Sequence, residues 1–118
     1  MAEAAAILTP LAPALMAATN FDELHRTIDL HLRAVGGFGE LAIYDIAQRL
    51  GWYRNMEPSA IYLHCGTREG AKALGLSTSG RTLALAALPP ELRVLSPSQL
   101  EDVLCIYKND LRRIAAPF

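Results

Sequence analysis

"YLHCGTREGAKALG", residues 62–75, decides how the rest of the chain is read. Gly66 and Gly70 stand four apart, His64 and Cys65 come just before them, and a run of small residues follows. Three readings compete for such a stretch: a hairpin offering backbone N–H groups to a phosphate, a thiol site, or a tight bend within a helical core. Downstream of the bend, Arg68 to Leu74 reads as a helix, with Thr67 as its N-cap and Glu69 near its positive end. Upstream, Pro58 suits the first turn of a short helix reaching His64. Ile61 and Tyr62 would also suit a strand, but no second segment offers good pairing, so a helix is expected.

The flanks extend this helical pattern. Asn20 and Glu23 form a capping-box pair, and Phe21, Leu24, Ile28, Leu32 and Val35 follow as one apolar stripe ended by Gly36 and Gly37. A second helix is expected from Glu40 to Leu50, with Ile43, Ala47 and Leu50 on one face, Tyr44 and Ile46 widening it, and Gly51 as its C-cap. "WYRNMEPS" and "GLSTSGR" read as loops, and "TLALAAL" as a short apolar helix closed by Pro89 and Pro90. Ser96, Pro97 and Gln99 open a last helix whose buried face is Leu100, Val103, Leu104, Tyr107, Leu111 and Ile114. The expectation is an all-α fold: a compact single domain of five or six helices at residues 20–118, packed on by an apolar arm at residues 1–19, helical or extended.

Composition agrees with a packed core. The chain has 118 residues, of which 52% are hydrophobic and 19% charged, a balance far from that of a disordered segment. The apolar N-terminal stretch carries Glu3 where a signal peptide needs a base, and Pro10 and Pro13 interrupt it, so no membrane association and a cytoplasmic location are expected. Cys65 and Cys105 lack any CxxC spacing, which points to two reduced thiols and no metal site. His25 and His31 are six apart and share no helix face, as surface histidines do. His64 and Cys65, adjacent on a helix, would diverge by about 100° and form no nucleophile–base pair. With no P-loop, H-E-x-x-H or G-x-S-x-G run, no catalytic residue and no cofactor are assigned.

Charge is uneven along the chain. The formal net charge is −1, yet residues 46–88 hold five bases (Arg49, Arg54, Arg68, Lys72, Arg81) against two acids (Glu57, Glu69). "LHCGTREGAKALG" lies inside this basic segment and resembles helix-hairpin-helix DNA-binding modules over some twenty residues. The resemblance makes Leu63 the hydrophobic anchor, Gly66 the hairpin glycine and Gly70 or Ala71 the small packing residue. His64 stands where that family has a second glycine. It implies sequence-independent DNA binding, with backbone N–H groups from Gly66 through Thr67 to Gly70 holding a phosphate and Arg68 and Lys72 alongside. "YDIAQRLGW" is similar to the first helix and turn of helix-turn-helix DNA readers, with "PSAIYLH" in the place of the recognition helix; this implies phosphate contacts from Arg49 and Arg54. The chain as a whole resembles small bacterial proteins, which implies no particular activity.

A protein-interaction or assembly domain, including a homodimer, is the competing expectation. Trp52, Tyr53 and Met56 are residue types that anchor interfaces. The two readings part on charge: a phosphate binder must keep Arg49, Arg54, Arg68 and Lys72 on one surface, whereas an interaction domain need not.

Overall fold

Asn20 starts the longest helix as its residue type predicts, its extended backbone bringing the side chain to the Glu23 N–H at 2.9 Å. In the computed structural model, which describes residues 2–115, the chain is mainly helical and divides into two compact units, residues 1–57 and 58–118. No helix among the described residues is long and apolar enough to cross a membrane.

The first unit contains α1 (Ala2–Leu8), a 3-10 turn (Thr9–Leu11), α2 (Ala12–Ala17), α3 (Phe21–Val35) and α4 (Glu40–Tyr53). Its N-terminal arm is therefore helical, and the prolines explain its segmentation. Pro10 and Pro13 each fall at the start of a new piece, where a missing N–H costs no hydrogen bond. The expected capping box is shifted by one residue. Glu23 turns its carboxylate to the Thr19 N–H and hydroxyl, at 2.8 and 3.0 Å, rather than to the Asn20 N–H. Phe21, Leu24, Ile28 and Leu32 are buried, and Val35 lies outside the stripe, exposed beside Gly36 and its positive φ of 84°. Facing them are Ile43, Tyr44, Ile46 and Ala47 of α4, with the Phe21 and Tyr44 rings edge to face at 5.9 Å.

α4 runs past its expected end. Gly51 lies inside the helix rather than capping it, because the Met56 carbonyl and the Phe21 ring close on it; a Cβ there would stand 2.8 Å from that oxygen. The left-handed residue after the helix is Asn55, at φ 55°, the non-glycine type that tolerates this region best.

The second unit contains β1 (Ile61–Tyr62), α5 (Cys65–Ala73), β2 (Thr82–Leu83), two 3-10 turns (Leu85–Ala87 and Pro90–Leu92), α6 (Pro97–Ile106) and α7 (Lys108–Ala115). The helix expected over 58–64 is replaced by a strand, and its partner comes from the segment read as a short apolar helix. β1 and β2 pair antiparallel, Ile61 opposite Leu83 and Tyr62 opposite Thr82, and the Leu63 N–H extends the ladder to the Arg81 carbonyl at 2.9 Å. Burial of Ile61 and Leu83 in one core overrides the local helical signal of both segments. That core also takes in Leu63, Ala71, Leu88, Leu100 and Leu104.

The last helix is two helices. α6 has the full expected capping box, Ser96 with Gln99, but it ends at Ile106, and α7 departs from Tyr107 to pack against α5. Tyr107 is consequently exposed, while Leu111 packs on the core; the side chain of Ile114 lies outside the described residues.

Candidate functional site

The residues expected to bind phosphate are placed in both units and used in different ways. α5 begins at Cys65, with His64 extended as its N-cap residue and making no side-chain cap. Gly66, Thr67 and Gly70 are therefore interior helix positions, all buried, and no hairpin turn exists at Gly66. Both glycines face α6. A Cβ on Gly66 would stand 2.5 Å from the Cys105 sulfur, and one on Gly70 would overlap the Leu104 backbone, 2.8 Å from its Cα. They permit the close approach of two helices, which is the tight-bend reading in a straighter form.

Thr67 does not cap α5, because its hydroxyl points into the fold. There it lies 3.2 Å from His64 Nε2 and 3.3 Å from Glu101 Oε1, in a cluster closed by a direct contact between His64 Nε2 and Glu101 Oε1. His64 is 3% exposed and Glu101 4%. Buried polar groups require partners, and these three supply them to one another across the α5–α6 contact. The cluster is walled from solvent, so its chemistry is that of a polar pin between two helices. Sequence reading passed over it because Glu101 resembles a first-turn acid of α6, and its pairing with His64 spans 37 residues.

The thiols flank this pin. Cys65 is exposed and Cys105 half-buried. Burial first, and then the charge of Glu101, push the Cys105 thiol above its ordinary pKa.

The arginines divide into engaged and free. Arg68 donates to the carbonyls of Thr78 (2.7 Å), Gly80 (3.2 Å) and Leu63 (3.1 Å), fastening the loop between α5 and β2. Arg54 donates to the Leu15 and Ala18 carbonyls at 2.9 and 2.8 Å, satisfying the end of α2. Lys72 is exposed on α5. Arg49 is exposed on α4 and makes no hydrogen bond or ion pair with the described residues.

Arg49 borders a groove of about 500 Å³ in the first unit, between the N-terminal helices and α4. Ala4, Ala5, Leu8, Ala12 and Leu15 form one side, and Ile46, Arg49 and Leu50 the other. Thr9 also lines it, but its hydroxyl is taken by the Ala5 carbonyl at 2.6 Å. Among the described residues the walls are thus almost wholly apolar, with one cation. Tyr53, one turn beyond Arg49 on α4, is 83% exposed. Among the described residues no group of three or more His, Cys, Asp or Glu is placed to hold a metal. No family model, curated protein or solved structure matches the chain.

Proposed function

We propose that the chain is a non-catalytic protein-interaction module that holds a partner along the groove of its first unit. The carrying observation is the groove itself: an apolar trough of about 500 Å³ left open on a small helical unit. Exposed apolar concavities of this kind mark binding surfaces more often than chance. Tyr53 fits the same role, since an exposed tyrosine beside an apolar trough supplies a large, rigid contact with a polar tip.

A DNA-binding role draws less support from the same residues. Of the four cations it needs, Arg54 and Arg68 are engaged with backbone carbonyls, and Gly66 and Gly70 turn toward α6 instead of toward a ligand. The test uses two measurements on the full chain. Fluorescence anisotropy with labelled double- and single-stranded DNA, at about 50 and 200 mM salt, is expected to stay flat; binding that weakens steeply with salt would restore the phosphate reading. A photoreactive phenylalanine analogue at Tyr53 is expected to yield one discrete protein adduct in cells, whereas the same group at Asn109 on α7 yields none. Equal labelling from both positions would overturn the proposal.

A further inference from the structure

The groove has the form and charge to receive one kind of segment. Its two sides are built from helical pieces: Ala4, Ala5 and Leu8 of α1 with Ala12 and Leu15 of α2 on one, and Ile46, Arg49 and Leu50 of α4 on the other. From Ala4 to Leu15 the N-terminal side spans α1, the 3-10 turn and α2, at most about 18 Å were these pieces collinear at 1.5–2.0 Å per residue, which bounds a docked helix to roughly three turns. Side chains at i, i+4 and i+7 of a docked helix fall within that length. Alanines along the trough let a third helix approach closely, as ridges enter grooves at about 8–10 Å between axes. No strand occurs in residues 2–57, so an extended segment would find no sheet edge there on which to pair.

Among the described residues the one charged side chain on the walls is Arg49, and it has no partner among them. Burying an arginine beside a docked apolar face without a counter-charge is costly, and a carboxylate opposite it removes that cost. Resting on the interaction reading above, we infer that the groove binds an amphipathic helix of a partner protein, about three turns long, whose apolar stripe is bordered by an Asp or Glu that pairs with Arg49. An acidic flank also discriminates, since a basic one would bring like charges together.

The experiment is selection of a displayed library of amphipathic helical peptides against the full chain and two variants. Against the unaltered protein, enriched peptides are expected to carry apolar residues at i, i+4 and i+7 with Asp or Glu on the flank. Selection against Arg49→Glu should enrich Lys or Arg at the same position, and the original peptides should bind that variant at least about tenfold more weakly. Ala12→Trp, at an exposed alanine of the trough, should abolish binding; Ala5→Trp repeats the block at a second position, with circular dichroism confirming that each variant folds. Loss of binding in the tryptophan variants, with no preference for acid and no response to Arg49→Glu, would overturn the acidic-helix inference and leave the interaction reading standing. No enrichment, or enrichment indifferent to the tryptophans, would overturn both. A dimer in sedimentation that dissociates in Ala12→Trp would place a second copy in the groove, and displacement of selected peptides by palmitate would place a lipid there; either result overturns the inference.

Discussion

Both units rely on small residues in helices, and they use them in opposite ways. In the second, Gly66 and Gly70 draw α5 against α6 until no space remains for a methyl group. In the first, Ala4, Ala5 and Ala12 line a trough that is left open. A small side chain is thus no signature of either packing or binding until its neighbour is known. What separates the two cases is the groups behind them. Behind the glycines lies a buried polar cluster needing an exact seat, whereas Ala5 and Ala12 remain exposed beside the trough and Ala4 alone of the three is buried.

The sharpest way to break this contrast is to add carbon to each unit. Gly70→Ala gains about 1 kcal/mol of helix propensity in isolation, yet its methyl meets backbone atoms of Leu104 that cannot swing aside. We expect a net loss of about 4 kcal/mol or more in urea unfolding, together with lost amide protection at Ala71 and Leu104. Ala5→Leu, which adds three carbons in the groove, should stay within about 0.5 kcal/mol of the parent protein. Similar costs for both substitutions would erase the distinction between the units.

A somewhat smaller effect tests the polar pin. Glu101→Gln keeps the volume and one acceptor but removes the charge facing His64, and breaking a buried pair on one side leaves the other under-compensated. The expected loss is about 3 kcal/mol, the low end for such pairs because the amide can still bond to Thr67 and His64. A change below about 1 kcal/mol would mean that close helix packing alone holds α5 to α6.

How much of this could be read from the chain follows from the range of the forces involved. The Asn20 and Ser96 caps and the α3 stripe were legible because each is settled within four residues. The strand at Ile61 was not, since its partner lies some twenty residues on and carries a Leu–Ala composition that reads as helix. The interior place of Gly51 was hidden for the same reason: a glycine that ends a helix and one that admits a phenylalanine ring look alike until the ring's position is known. Tyr53 and Arg49 were legible only by type, as an aromatic and a cation, but the groove that Arg49 borders requires α1 and α2 to be placed beside α4. The His64–Thr67–Glu101 cluster was the least legible, because nothing local distinguishes a buried Glu101 from a solvated one.

The mildest expected effect compares Glu101 with the other carboxylate that holds a helix start, Glu23 of the first unit. Glu23 accepts the Thr19 N–H, then the Thr19 hydroxyl, and these bonds hold its carboxyl below the ordinary glutamate pKa, aided slightly by Arg26 and opposed by a small burial effect. A folded-state value below the unfolded one makes the carboxylate's contribution fully present above the unfolded pKa, and that contribution falls away as pH drops through the folded value. Carboxyl carbon shifts followed by NMR should therefore give Glu23 a midpoint below that of a free glutamate, and Thr19→Ala should raise it only partway, because the backbone N–H remains to donate. A full return to the free value would mean that the hydroxyl carries the bond. No displacement in the parent protein would remove the shifted capping box, leaving Asn20 as the sole side-chain cap observed at the start of α3.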